Sequence, residues 1–219
     1  EWDWKGAGRE FRIGLELNPN YATGHHWYAE MLLFQGRMEE AWREISLAVD
    51  LDPLSQGILK DKGIYHYYNR QYDEAIEAGR QALELDPGFC VAHRLISLAH
   101  CGKGEFEKAI EENKLWEDSS RNGKTASITL AHILAAAGRK EEALKELAAI
   151  EAEDIHGNDN RAMAIAYATL GDADKAFSWL DKSYRANEES LCSLKIDPKL
   201  DSIRSDVRFN ELLKKVGLA

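Results

Sequence analysis

Alanine recurs along this chain at an almost constant interval. Six alanines are separated by steps of 34, 34, 34, 34 and 33 residues, at Ala7, Ala41, Ala75, Ala109, Ala143 and Ala176. A fixed period of this length is typical of stacked helical repeats, in which each unit buries its apolar face against its neighbours. The period therefore predicts an array of similar units rather than one central core.

Other residues keep the same register. Small residues fall where two helices would cross closely, at Ala29, Gly63, Ser97, Ala131 and Ala164. Glycine accepts the left-handed backbone that ends many helices, and it recurs at Gly36, Gly104, Gly138 and Gly171. Proline lacks the backbone donor needed to continue a helix, and it closes a Leu-Asn/Asp-Pro triplet at Pro19, Pro53 and Pro87. Each unit is therefore predicted to be two helices joined by a short turn.

These columns resemble the tetratricopeptide repeat, a helix-turn-helix unit of about 34 residues. The resemblance implies one all-α domain, a right-handed α-solenoid of about five and a half repeats with a C-terminal capping helix. A half repeat over residues 1–20 would be followed by repeats at 21–53, 54–87, 88–121, 122–153 and 154–187, and by the cap at 188–219.

The C-terminal half is similar to a more particular group. Its strings at 137–144, 176–180 and 194–213 resemble the terminal repeat module of bacterial multidomain signalling and transcription regulators. In that group the repeats follow a DNA-binding, kinase or cyclase domain. The resemblance therefore implies a cytoplasmic module that belongs to a longer signalling protein.

Two local departures from the repeat carry structural expectations. Trp116 stands in a column that is otherwise small, so Trp116 and a polar loop at 118–123 should redirect the stack between the fourth and fifth units. After the last repeat, the residues from Leu191 to Ile196 are expected to be extended. Ser205 is expected to cap the N-terminus of a final helix that ends at Gly217.

Composition narrows the range of partners. The formal net charge of −10 argues against nucleic acid and against an anionic membrane surface as partners of this domain. No apolar run approaches the roughly 20 residues needed to span a bilayer. Cys90, Cys101 and Cys192 form no disulfide framework, so we expect reduced thiols and a cytoplasmic protein.

Catalytic chemistry is not expected. The seven histidines lack metal-ligand spacing, so packing roles are favoured over a metal site. Glu-Glu pairs at 39–40, 111–112 and 188–189 are predicted to be solvated surface. No phosphate-binding glycine loop or nucleophile motif occurs. The sequence therefore predicts a protein that is not an enzyme and has no cofactor.

The concave groove is the predicted binding surface. In the tetratricopeptide repeat the first helix of each unit lines this groove, and the N-terminal half here is aromatic with isolated charges. A peptide or partner protein is predicted to contact Trp27, Glu30, Phe34, Lys60, Ile64, Tyr67, Tyr68 and Arg94. The C-terminal half of the groove reads as small and plain. The alternative is a structural spacer or self-association element of a larger bacterial signalling protein.

The first half repeat lacks a preceding helix. Its stripe of Trp4, Ala7 and Phe11 would otherwise be exposed, and an exposed apolar stripe marks an association site. A homodimer through this half repeat would cover it. Alternatively, the helix could tilt and bury the stripe on the second unit.

Overall fold

A computed structural model describes residues 3–119, 123–152 and 159–219. These residues contain no β-strand, which confirms the predicted all-α solenoid. They form twelve α-helices and two short 3₁₀ helices: α1 (Trp4–Leu17), α2 (Ala22–Phe34), α3 (Met38–Leu51), α4 (Gln56–Tyr68), α5 (Tyr72–Leu85), α6 (Val91–Lys103), α7 (Phe106–Ser119), α8 (Gly123–Ala136), α9 (Lys140–Glu151), α10 (Asp159–Leu170), α11 (Ala173–Arg185), 3₁₀ helices at Glu189–Ser193 and Pro198–Ile203, and α12 (Val207–Lys215).

Five helix pairs stack along the chain, α2 with α3, α4 with α5, α6 with α7, α8 with α9, and α10 with α11. The periodic alanines lie where the two helices of a pair cross, and their side chains have no solvent exposure at Ala41, Ala75, Ala109, Ala143 and Ala176. A larger side chain at these positions would push the two backbones apart. The alanine period thus marks the positions at which the two helices of a pair cross closely.

A residue with a left-handed backbone conformation ends the first helix of each pair. Gly36, Gly104 and Gly138 have φ of +79°, +77° and +77°. Arg70 occupies the same register position with φ +62°, a conformation that is costly for a residue with a side chain. The Arg70 guanidinium donates to Asp201 at 2.6 Å, so this arginine links the turn to the C-terminal segment.

The C-terminal segment after α11, residues 188–206, differs in detail from expectation. Residues 191–196 are not extended, since a 3₁₀ helix covers Glu189–Ser193. The last helix begins at Val207, and its N-cap is Asp206 rather than Ser205, because the Asp206 side chain accepts from the Arg208 backbone N–H. Gly217 follows the helix with φ +71°, as expected for its end.

This segment does more than cap the last repeat. Leu200 and Ile203 pack with α10 residues in one apolar cluster, while Ile196 packs against the cluster of α2. At the far end, the indole Nε1 of Trp4 donates to the carbonyl of Val216 at 2.8 Å. The segment therefore crosses the concave face from α10 to α2, and the chain after α12 meets the first helix.

The first helix packs on its neighbour. Phe11 stacks on Tyr28 of α2 with ring centroids 5.6 Å apart, and Leu15 and Trp4 join the same apolar cluster. Of the two alternatives given for the half repeat, the structure has the second, because the apolar stripe of α1 is partly buried on the second unit. Leu17 remains 83% exposed.

Trp116 is buried within the stack. Of the adjoining loop at 118–123, residues 120–122 lie outside the described residues. A redirected stack between α7 and α8 stays a prediction.

Two glycines in helix interiors provide a matched test of close packing. A Cβ on Gly63 would lie 2.5 Å from Leu95 Cδ2, 3.1 Å from Ala78 Cβ and 3.3 Å from the Ala75 carbonyl, whereas one on Gly14 would meet nothing within 4 Å. We expect Gly63→Ala to lower the free energy of unfolding by about 1–3 kcal/mol. Gly14→Ala should raise it by up to about 1 kcal/mol. Urea denaturation of both variants measures the difference, and equal effects would contradict the packing argument.

Candidate functional site

A cavity of about 380 Å³ opens on the concave face between α2, α4, α6 and the C-terminal segment, and we call it the N-terminal cavity. Seven of the eight predicted partner-binding residues line it: Glu30, Phe34, Lys60, Ile64, Tyr67, Tyr68 and Arg94. They meet because each lies on the first helix of its unit, and these helices stand side by side. The opposite wall comes from the C-terminal segment and includes Glu189, Ser193 and Lys199.

Trp27 lies apart from the other seven. Its ring stacks on His26 at 4.8 Å between centroids and remains 49% exposed. It lines an apolar groove of about 410 Å³ beside α1, which we call the N-terminal apolar groove, together with Ala7, Glu10, Phe11, Gly14, Leu15, Tyr21 and Gly24.

The charged residues of the N-terminal cavity are coupled. Burial, together with the nearby carboxylate of Asp61, raises the pKa of Glu30 to about 7. Asp61 itself accepts from Lys60 at 2.5 Å and lies 2.6 Å from His26 Nε2. Glu30 therefore gains or loses its charge near neutral pH, and a cationic group entering the cavity would favour the charged form.

A buried ion cluster fixes the wall formed by the C-terminal segment. The fully buried carboxylate of Asp197 pairs with Arg161 of α10 and with the Lys199 ammonium at 3.2 Å. Burial alone would raise the pKa of Asp197, but the charges of Lys199 and Arg161 hold it at about 2. Lys199 also lies 5.0 Å from the centre of the Tyr67 ring. The segment thereby covers most of Tyr67, which borders the N-terminal cavity with only 4% of its surface exposed.

A second cavity, of about 570 Å³, lies further along the concave face, and we call it the C-terminal cavity. Residues of α6, α8 and α10 line it, with Trp116 of α7 and Lys199. Small, plain side chains were expected in this half of the groove, and the cavity there is also lined by Arg94, Trp116 and Lys199. Arg94, Arg161 and Lys199 border both cavities, and the contribution of Lys199 could not be read from the repeat register.

Glu188 is buried, contrary to the expectation that the pair at 188–189 is surface. Its carboxylate accepts from the backbone N–H groups of Asn160 and Arg161, both at 3.3 Å, and from the Ser183 hydroxyl at 2.6 Å. These N–H groups belong to the first turn of α10, where they have no partner within the helix. Glu188 therefore caps α10 from a distant part of the chain and sets the start of the C-terminal segment.

Three histidines and one cysteine of the described residues hold structural positions. His93 lies 2.7 Å from Glu112, and His100 lies 2.7 Å from Glu105. Burial lowers the pKa of His132 to about 4, so this ring is neutral at pH 7. Burial also raises the pKa of the Cys101 thiol to about 11, which keeps it protonated. Within the described part of the chain, no group of three metal-binding side chains comes together.

Comparison with known families finds the tetratricopeptide repeat at residues 57–89. This match covers α4 and α5, and the remaining helix pairs repeat the same architecture. The match shows a tetratricopeptide repeat at α4 and α5, and the structure shows the fold of a helical-repeat solenoid over the described residues. A comparison with curated protein sequences finds no match.

Solved structures share the fold at low sequence identity. A tetratricopeptide repeat protein from Parabacteroides merdae aligns with a TM-score of 0.73 and 12% identity, covering 98% of this chain and 78% of its own. PilW, a type IV pilus biogenesis factor, aligns with a TM-score of 0.64 and 17% identity, covering 93% and 91%. YrrB, described as having an unusual peptide-binding site, aligns with a TM-score of 0.51 and 20% identity, covering 84% and 96%. At these identities the likeness concerns the fold.

None of the helices described here is both long enough and apolar enough to cross a lipid bilayer.

Two aspartates of the C-terminal segment give a matched test of its attachment. Asp197→Asn should lower the free energy of unfolding by about 3–5 kcal/mol, because Arg161 and Lys199 would stay buried without a carboxylate. Asp201→Asn should change it by less than about 1 kcal/mol, because its pair with Arg70 is solvent-exposed. Urea denaturation measures both values. A cost for Asp197→Asn no greater than that for Asp201→Asn would show that the buried cluster does not hold the segment.

Proposed function

We propose that this protein is a non-catalytic interaction module that binds a peptide or partner protein in the N-terminal cavity of its concave face. The observation that carries the proposal is the convergence of Phe34, Ile64, Tyr68 and two unlike charges, Lys60 and Glu30, around one opening. Aromatic and arginine side chains around a concave site are the residues that commonly dominate binding energy at interfaces. The peptide-binding site named for the structural relative YrrB is consistent with this use of the fold.

The mode of binding is limited by the C-terminal segment. Because residues 189–199 form one wall of the cavity, a long peptide cannot follow the whole groove while the segment is in place. We infer that the partner inserts a short part, such as one or two side chains or a chain terminus. A cationic group of the partner would pair with Glu30 and displace its proton.

The cellular setting is also a proposal. The similarity of residues 194–213 to the terminal module of bacterial multidomain regulators supports a cytoplasmic role in a signalling protein. In such a protein this domain would recruit a partner, and an effector domain elsewhere would give the response.

Self-association is proposed at a different surface. The N-terminal apolar groove presents half-exposed Trp27 and Tyr21 beside Phe11. A helix from a second copy of the chain could fill this groove about a two-fold axis. A homodimer of this kind would leave both concave cavities accessible.

Partner binding can be tested with peptides selected against the intact chain from a random library. Phe34→Ala and Lys60→Gln should each weaken the selected peptides at least about tenfold, because both side chains line the N-terminal cavity. Lys62→Gln is the matched control, since Lys62 lies on the same helix but faces the Trp42 ring. Fluorescence polarisation gives the affinities. Peptides that bind all three variants and the unmodified chain equally would rule out this cavity as their site.

The proposed dimer is tested by sedimentation velocity at micromolar concentration. The unmodified chain should sediment as a dimer, and Trp27→Glu should shift it to monomer, because a charge would enter the apolar groove. Leu54→Glu is the control, since Leu54 is 71% exposed and lies outside that groove. A monomeric unmodified chain, or a dimer that Trp27→Glu leaves intact, would exclude this interface.

A further inference from the structure

Three positively charged side chains meet where the two concave cavities join. Arg94 of α6, Arg161 of α10 and Lys199 of the C-terminal segment border both the N-terminal and the C-terminal cavity. Asp197 pairs with Arg161 and Lys199. Arg94 is left outside this cluster.

The Arg94 side chain has no hydrogen-bond or ion-pair partner among the described residues. Its Nε is buried without an acceptor, and its guanidinium carbon lies 5.4 Å from the centre of the Trp116 ring. The Nε of Arg161 is also buried without an acceptor. Guanidinium groups carry five N–H donors in a planar fork, and leaving such donors unpaired in the interior is costly. The two arginines thus have donor capacity that the protein does not use.

The charges around the C-terminal cavity favour an anion. Arg94, Arg161 and Lys199 contribute three positive charges, while His132 is neutral at pH 7. Two carboxylates oppose them, Asp197 within the cluster and Asp159 on the lining, where Asp159 accepts from the Thr125 hydroxyl at 2.8 Å. One positive charge therefore remains uncompensated in a partly enclosed space.

We propose that the C-terminal cavity binds a small organic oxyanion, a carboxylate or a phosphate ester, through Arg94 and Arg161. A planar guanidinium matches the paired oxygens of either group. The cavity volume of about 570 Å³ is in the range of small-molecule sites. The remaining lining combines apolar side chains with the polar residues Thr125, Thr129, His132 and Ser190. The apolar ones include Val91, Leu98, Ile128, Ala162 and Ile165, so the ligand has room for an apolar part beside its anionic group.

The pKa values of the cations are consistent with this site. Burial lowers the pKa of Arg94, and it lowers that of Lys199 to about 8 despite the neighbouring Asp197. A bound oxyanion would stabilise the protonated form of Lys199. Binding should therefore weaken as the pH rises through about 8, where unliganded Lys199 loses its proton.

This inference does not depend on the proposed partner binding, because it concerns a small molecule and the other cavity. Because Arg94 borders both cavities, the control substitution must be at a residue that borders the N-terminal cavity alone. Lys60 lines the N-terminal cavity and not the C-terminal cavity. Lys60→Gln should therefore reduce peptide binding and leave oxyanion binding unchanged.

The test is isothermal titration of the intact chain with phenylacetate and, separately, with phenyl phosphate at constant ionic strength. We expect saturable binding of at least one probe, with Kd of about 1 mM or below. The tighter probe identifies the class of oxyanion. Arg94→Gln should weaken that probe at least about tenfold, while Lys60→Gln keeps the affinity of the unmodified chain.

Folding of Arg94→Gln is checked by its thermal melting curve, which should keep the single cooperative transition of the unmodified chain because the buried Arg94 Nε has no acceptor to lose. The pH dependence is measured with the unmodified chain and phenylacetate, because phenylacetate stays ionised between pH 7 and 9. The affinity of the chain for phenylacetate should fall over this range as Lys199 loses its proton. Failure of both probes to saturate the unmodified chain would overturn the proposal. So would full affinity in Arg94→Gln, equal losses in the Arg94 and Lys60 variants, or an affinity that does not fall with pH.

Discussion

The carboxylate of Asp197 holds the C-terminal segment in the concave groove. Its burial is tolerated because Arg161 and Lys199 supply two positive charges at contact distance. Burying charges costs several kcal/mol per ion, and only close pairing offsets that cost. With the cluster formed, Lys199 covers Tyr67 and Asp201 reaches Arg70. Both cavities owe a wall to this arrangement, so the binding surface depends on one buried ion cluster.

The fold followed from the sequence because its signal is local and repeated. Each of the five periodic alanines from Ala41 to Ala176 marks a helix crossing within its own unit, and each periodic glycine marks a nearby helix end. For the same reason, seven of the eight predicted partner-binding residues could be assigned to one cavity from the sequence. Once the register is known, positions on the first helix of each unit are known, and those helices must stand side by side.

The C-terminal segment could not be placed in this way, because its contacts join residues far apart in the chain. Trp4 and Val216 are separated by 212 positions, and no periodic pattern connects them. Glu188 looked like half of a solvated pair, since its capping partners belong to α10. The apolar residues between 191 and 196 suggested an extended stretch, whereas backbone N–H···O=C bonds three residues apart give a 3₁₀ helix. Each of these differences concerns a tertiary contact outside the repeat.

The hydrogen bond between Trp4 and Val216 joins the two ends of the chain, so it can form only after nearly the whole chain has been synthesised. A repeat array can fold unit by unit as it leaves the ribosome, because each unit needs only its neighbours. The segment that walls the cavities includes Asp197 and Lys199, and it emerges after all five helix pairs. Until then the concave face is an open channel, with Tyr67 uncovered and Arg161 lacking its counter-ion. The nascent chain thus passes through a stage whose concave face is chemically different from that of the finished protein.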